Sequence, residues 1–395
     1  MGRVITVVGM DERGLGPGAA KAVQDASLLV GAARHLAAVA PSPGTRTLTL
    51  GPVEPALDAL RGHDGDAVVL ASGDPGFFGI VRGMRAAGLK PVVEPAASSV
   101  ATLAARVGVP WDDALVVSAH GRDPRRAVNV CRARPKVAVL TGPELGPGEL
   151  ARQLCGWHRL LVVGENLGLC DERVSEVSLG EAAARTWDPL SVVLAVRPDM
   201  PAEESPVWHA GAGPVPGAFA LDDDAFEARG AMLTKAEVRA VALSRLGPRL
   251  GDLVWDVGAG SGSVAVEAAR FGAAVVAVER DAEAVDLVRI NAARHGVDVR
   301  AVHGVAPAGL AGLPDPDLVF VGGGGPGVVR ACAARHPARI VVTLAAPERI
   351  GAVREALDGY RVGGTLVQAA RLAALPDGTD RLAATNPVTV LWAER

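Results

Sequence analysis

Aromatic residues are scarce, at 3% of 395 positions, with a single tyrosine among them. That scarcity disfavours a nucleic-acid binder that stacks bases on aromatic platforms. Charge of one sign is missing too. Lys plus Arg (40) against Asp plus Glu (44) gives a formal net charge of −4, which removes the broadly basic face that phosphate binding needs. A local cluster can still hide inside such a total, and nearly all of the basic residues are arginine. The four cysteines, Cys131, Cys155, Cys170 and Cys332, show no C-x-x-C spacing, so free thiols in a reducing cytoplasm are expected, with no metal site. No stretch approaches the roughly 20 consecutive apolar residues of a membrane helix, and no secretory leader is read, so neither a membrane nor a nucleic acid is expected as a partner. Met1 to Thr6 fits the loose myristoylation pattern, but Val4 to Val8 reads better as a first buried strand.

What is present is ample apolar material, 49% hydrophobic against 21% charged, enough for two or three domains at this length. From Val4 to about Pro198, short β-branched runs alternate with Ala-rich stretches. The clearest strands are Ile5 to Val8, Ala67 to Ala71, Ala114 to Val117, Val137 to Leu140, Leu160 to Val163 and Val192 to Val196. Such alternation argues for α/β layers. A Pro- and Gly-rich stretch without sustained period follows, and strand–helix alternation resumes from Leu253 to Trp392. The predicted division is residues 1–200, a linker at 201–223, and a second α/β domain at 224–395.

In the second domain, strand Leu253 to Val257 runs into Gly258-Ala259-Gly260-Ser261-Gly262-Ser263 and a helix from Val264 to Arg270. This is the first βα turn of a nucleotide-binding fold, where glycines admit a ligand to the backbone and a helix N-terminus offers free N–H groups. The next strand, from Ala274, ends at Glu279, at the interval where an acid meets ribose hydroxyls. Ser263 stands where a dinucleotide fingerprint needs its third small glycine or alanine, which makes NAD the weaker ligand. Val319 to Val321 leads into Gly322-Gly323-Gly324-Gly325, a loop that should face the reacting groups. Upstream, Thr234 can cap a helix, Glu237 can complete a capping box and Leu233 can staple to Val238. Lys235 and Arg239 then fall four apart on one helical face, where both could reach an anionic substrate.

The first domain carries its own glycine loop from Gly9 to Gly18 after the first strand, and Ser72-Gly73-Asp74-Pro75-Gly76-Phe77-Phe78-Gly79 at another strand end. Ser118-Ala119-His120-Gly121-Arg122 places a histidine and an arginine after a third. No G-x-S-x-G, H-E-x-x-H or P-loop occurs, and no catalytic residue is assigned.

Asp256-x-Gly258-x-Gly260-x-Gly262 resembles the first motif of class I S-adenosylmethionine (SAM) methyltransferases, with Glu279 matching their ribose ligand. Together with Val30-Gly31-Ala32-Ala33-Arg34-His35-Leu36, Ser72 to Gly79, Ser118 to Arg122, Gly164-Glu165-Asn166-Leu167-Gly168 and Leu233 to Arg239, the whole chain resembles the fused precorrin-6Y methyltransferases of cobalamin biosynthesis. The resemblance implies an N-terminal tetrapyrrole-methylase-like α/β domain of two subdomains joined to a C-terminal class I, Rossmann-like domain. It implies two SAM per chain, one per domain, with methylation of precorrin-6B at carbon 5 by the first domain. The second would methylate carbon 15 and decarboxylate the ring C acetate, giving precorrin-8X. Cofactor contacts fall to Gly9, Gly73, Asp74, Phe78 and Gly79 in the first domain. In the second they fall to Thr234, Asp256, Gly258, Gly260, Gly262, Ser263, Glu279, Gly304, Ala306 and Gly322. Substrate carboxylates are expected at His120, Arg122, Lys235 and Arg239, since Arg pairs best with carboxylates. Val305 departs from the family, which often has an acid there for the adenine amine, and Ala308 from its frequent Glu. The family halves tend to associate, so a homo-oligomer is expected. A dinucleotide-dependent reductase, an RNA methyltransferase and a SAM-sensing scaffold are the alternatives.

Overall fold

The structure, a computed structural model, describes residues 3–11, 14–121, 123–198, 210–211, 218–229 and 233–395. Met1, Gly2, Arg122 and most of the 201–223 linker lie outside the described residues. The chain falls into two compact units. One comprises Met1–Arg122, Ala138–Arg152 and Leu160–Ala195, and the other Asp123–Val137, Gln153–Arg159 and Val196–Arg395. The second unit therefore takes in two stretches that precede residue 200.

In the first unit, strands β1 (Ile5–Met10), β2 (Leu28–Gly31), β3 (Arg46–Thr49), β4 (Ala67–Ser72) and β5 (Val92–Glu94) form a sheet of order β3-β2-β4-β1-β5. All its pairings are parallel. The sequences ITVVGM of β1 and AVVLAS of β4 are almost unbroken apolar runs and are buried over most of their length, as befits parallel strands covered on both faces. Their register, from Ile5 opposite Ala67 to Met10 opposite Ser72, brings both C-terminal ends to one edge. A second sheet follows, of β6 (Leu115–Ser118), β7 (Lys136–Leu140), β8 (Leu160–Glu165), β9 (Arg173–Ser178) and β10 (Ser191–Val196), in the order β6-β7-β10-β8-β9. The six predicted strands of this half all form, with ends moved by one or two residues.

The second unit is built on β11 (Leu253–Val257), β12 (Ala274–Glu279), β13 (Arg300–His303), β14 (Leu318–Val321), β15 (Arg339–Leu344), β16 (Arg361–Val367), β17 (Ala370–Ala374), β18 (Asp380–Ala384) and β19 (Val388–Glu394). Seven of these make a sheet of order β13-β12-β11-β14-β15-β19-β16, and β17 with β18 forms a separate hairpin. The first five are parallel, and β19 runs antiparallel to both its neighbours. β11 is buried at every residue. With β12 on one side and β14 on the other, the chain reverses its direction of travel at β11, and this is where an open α/β sheet leaves a crevice beyond its C-terminal ends.

Trp157, 6% exposed, belongs to the same core cluster as Leu253, Trp255 and Val276. The Arg132 and Arg300 guanidiniums lie over its ring at 4.6 and 4.8 Å. Asn129, wholly buried, donates to the Gly251 carbonyl at 3.0 Å. Removing the indole would leave a cavity in this core, so Trp157→Ala should destabilise the second unit by about 3–5 kcal/mol. Urea unfolding followed by circular dichroism should show the drop as an earlier transition.

Candidate active site

A cavity of about 860 Å³ opens beyond the ends of β11, β12 and β14. Gly258 begins the return of the chain at φ +73°, and a Cβ there would stand 3.0 Å from the Gly323 nitrogen of the loop after β14. Any side chain would wedge the two glycine loops apart, so the position suits a backbone that a ligand approaches closely. Glu279, at the end of β12, accepts from Gly260 N–H at 2.9 Å through Oε2, and from Arg280 N–H (2.8 Å) and Asp281 N–H (3.1 Å) through Oε1. Those bonds fix an acid in the cavity wall beside the glycine loop. The lining fits a nucleoside: a backbone that a ligand can approach closely, a fixed carboxylate for sugar hydroxyls, and an apolar floor of Val257 and Val278.

Thr234, Lys235, Gly258, Gly260, Glu279, Gly304, Ala306 and Gly322 all line this cavity. Asp256, Gly262 and Ser263 do not; they are packed beneath it. Val305, 64% exposed, is part of the lining and offers no acid. Sequence reasoning missed Arg280 and Arg349, which also line the cavity. Arg349 follows β15 in a short 3-10 turn, and no periodic pattern marks such a residue.

Asp256 is wholly buried, with Oδ2 accepting from Ala265 N–H at 2.9 Å and Oδ1 unpartnered. Burial, reinforced by the Glu279 charge and opposed by that N–H, pushes its pKa up to about 7. The folded state therefore holds a proton that the unfolded chain releases near 3.8. Stability from this group is full below that value and is lost as pH rises through about 7, by up to about 1.4 kcal/mol per pH unit. Asp256→Asn should flatten the loss, and denaturation midpoints at pH 5 and pH 8 would measure it.

Two expectations about the helix before β11 need correction. The helix is Ala236–Leu246 with Lys235 as N-cap and no side-chain cap of its own. Asp223 takes the role expected of Thr234: its Oδ1 accepts from Ala236 N–H at 3.0 Å, and its Oδ2 pairs with Lys235 at 3.1 Å. Glu237 forms no capping box, because Arg371 of β17 holds it through two bonds of 2.7 and 2.6 Å. Leu233 packs instead into the cluster around Phe226 and Val266.

Arg239 is the second correction. It is wholly buried, bonded through Nε to Glu267 at 2.5 Å, and donates to the Thr234 and Leu221 carbonyls. Its guanidinium lies 4.7 Å from the Phe226 ring. An arginine so buried and so engaged is structural and does not line the cavity. Arg239→Ala would strand the buried Glu267 charge, so a loss of about 3–5 kcal/mol of stability is expected, with SAM affinity retained in whatever fraction stays folded. Differential scanning calorimetry with titration calorimetry on the same sample separates the two effects.

In the first unit a smaller cavity, about 250 Å³, lies beyond the ends of β4, β6 and β7. Gly73, Asp74, Phe78, Gly79 and His120 line it. Gly9 sits below, where a Cβ would meet the Gly73 carbonyl oxygen at 2.3 Å, so only glycine lets β1 end against this loop. Asp74 Oδ1 accepts from Gly76 N–H at 2.8 Å and shapes the turn. A ring of hydroxyls, Ser72, Ser98, Ser99, Ser118, Thr141 and Ser191, completes the wall. Ser98 caps the helix Ser99–Val107, and a cap signature could have found it. The others lack such a signal.

A family described as "Precorrin methyltransferase domain" matches residues 224–394, and "Tetrapyrrole (Corrin/Porphyrin) Methylases" matches residues 5–183. The precorrin-6Y C(5,15)-methyltransferase [decarboxylating] of a Sinorhizobium species is 36% identical over 383 residues, 92% of this chain and 89% of that protein. The cobalt-precorrin-7 C(5)-methyltransferase of Salmonella typhimurium is 39% identical over 182 residues, 43% of this chain and 89% of that protein. The probable cobalt-precorrin-6B C(15)-methyltransferase (decarboxylating) of Pyrobaculum calidifontis is 46% identical over 147 residues, 35% of this chain and 75% of that protein.

Proposed function

This chain belongs to the precorrin-6Y C(5,15)-methyltransferase (decarboxylating) family, and we propose that each of its two cavities holds its own SAM. The chain is a SAM-dependent methyltransferase of cobalamin biosynthesis, methylating a precorrin at carbons 5 and 15 with loss of the ring C acetate carboxylate. The observation that carries the two-site reading is a pair of separate cavities, each at the C-terminal ends of strands and each lined, save for Ser191, by a segment matched by a different methylase family. Carbon 5 is assigned to the first half. Carbon 15 and the decarboxylation belong to the second.

SAM supplies an electrophilic methyl on a cationic sulfur. The protein's part is to bind, align and exclude water, which can contribute about 7–11 kcal/mol of the barrier. In the larger cavity, Glu279 and the Gly258–Gly260 backbone hold the nucleoside side. Lys235, Arg280 and Arg349 bring positive charge to the same wall, suited to a macrocycle that carries acetate and propionate groups. Lys235 shares Asp223 with Arg371, so its ammonium is held at the rim. In the smaller cavity His120 faces the same kind of substrate.

Titration calorimetry should find two SAM equivalents per chain, falling to one in Glu279→Ala. With precorrin-6B and excess SAM, the wild type should add two methyls and lose one carbon dioxide, while Glu279→Ala adds at most one methyl and keeps the carboxylate. A single SAM equivalent in the wild type would refute the two-site reading.

A further inference from the structure

Proton balance separates the two half-reactions. Replacing a ring C–H by C–CH₃ breaks the sulfur–methyl bond of a sulfonium, forms a carbon–carbon bond and releases one proton. Loss of carbon dioxide from an acetate carboxylate leaves an electron pair on carbon that takes up one proton. In the decarboxylating half these two protons cancel. The other methylation has no such sink, so its cavity needs a group that accepts a proton, and this argument rests on the two-site reading above.

The smaller cavity contains such a group. Ser72 ends β4 with its side chain in the cavity wall. Its hydroxyl oxygen accepts from Arg34 Nη2 at 2.7 Å and lies 3.2 Å from His35 Nε2. Arg34 and His35 start the helix Ala33–Ala38, which follows β2, and β2 pairs in parallel with β4. The local topology thus delivers the imidazole to the same sheet edge as the cavity. His35 is 9% exposed and lies behind Ser72, screened from bulk water. His120 also lines the cavity, but no hydroxyl orients it among the described contacts.

We propose that Ser72 and His35 form the proton relay of the carbon 5 methylation. As the carbon–methyl bond forms, the Ser72 oxygen takes the proton leaving carbon 5 and passes its own to His35 Nε2; the resulting imidazolium later loses that proton to solvent. Arg34 keeps one lone pair of the Ser72 oxygen occupied and so aims its hydrogen at the imidazole. Ser72 is the group that meets substrate, and His35 is a positioning and accepting residue behind it. Burial and the Arg34 charge hold the His35 pKa below the ordinary 6.5, against a backbone contact at Leu70 that raises it. Arg34 is the charged group whose field reaches the ring, while β4 presents the uncharged Ser72 and Leu70. The ring is therefore neutral and able to accept at pH 7.

The full chain is incubated with precorrin-6B and excess SAM, and product mass is followed with time. Ser72→Ala and His35→Gln should slow the carbon 5 methylation by about 100-fold, while the decarboxylating methylation still adds one methyl and loses carbon dioxide. The wild-type rate of the carbon 5 methylation should fall on the acid side with a limb below pH 6.5, and the residual rate of His35→Gln should lack it. Independently of turnover, nitrogen NMR of the resting protein should show His35 Nε2 unprotonated and shifted in Ser72→Ala. Both variants adding two methyls at the wild-type rate, an unchanged acid limb in His35→Gln, or a protonated Nε2 would each overturn the relay. A wild type that adds one methyl only would overturn the two-site reading and the relay with it.

Discussion

The buried pair between Arg239 and Glu267 is the contact on which the stability of the second unit around the larger cavity depends. Both side chains are wholly inaccessible, and two charges removed from water are tolerable only when every remaining donor and acceptor is used. They are used here. Glu267 also accepts from Ala220 N–H at 2.5 Å and Leu221 N–H at 3.0 Å, and Arg239 reaches the Leu221 and Thr234 carbonyls. Glu267 lies on the helix Ser263–Arg270 that starts at the glycine loop. One carboxylate thus joins the cofactor loop, the segment around residue 220 and the helix that begins beside Lys235. Asn291 repeats the device with Glu227 and Ser261, through bonds of 2.8 Å each. The strap that carries Thr234 and Lys235 is fixed from below, so the rim of the cavity is set by buried polar chemistry more than by apolar contact.

This arrangement explains where the sequence could be read and where it could not. β11, the glycine turn and Glu279 were legible because each rests on near neighbours: an apolar run, a required backbone geometry and one βα interval. Arg239 was misread because spacing along a helix shows which residues share a face but not whether that face meets water. Its partner acid is 28 positions away. The helix cap failed for a related reason. Thr234 and Glu237 satisfy the local pattern, yet Asp223, 13 positions before Ala236, and Arg371 from a distant strand supply bonds that the local pattern does not foresee. Trp157 offered no signal at all, since its core mates are reached only through the folded second unit.

In the first unit the illegible part is the ring of hydroxyls. Serine at a strand end is ordinary turn chemistry, and the meaning of Ser72 comes from two residues 38 and 37 positions before it. Parallel pairing is what makes that distance irrelevant. Strands whose C-terminal ends share an edge bring their following loops together whatever the chain length between them. The Arg34-His35 pair was visible as a motif, but its direction toward the cavity belongs to the β2–β4 register.

The two cavities also divide the electrostatic work differently. The larger one has Lys235, Arg280 and Arg349 in its lining together with Glu279 and Asp281, so a chain of net charge −4 still presents local positive charge at this cavity. A carboxylate that must be lost gains nothing from being held by a cation in its charged form, because that stabilises the ground state over the transition state. On the proposed reading, the three cations suit the carboxylates that are kept. The smaller cavity has Asp74 tied into its own turn and a wall of neutral hydroxyls. Hydroxyls with a buried imidazole behind them would, on the proposed relay, receive a proton without first having to release a bound ion.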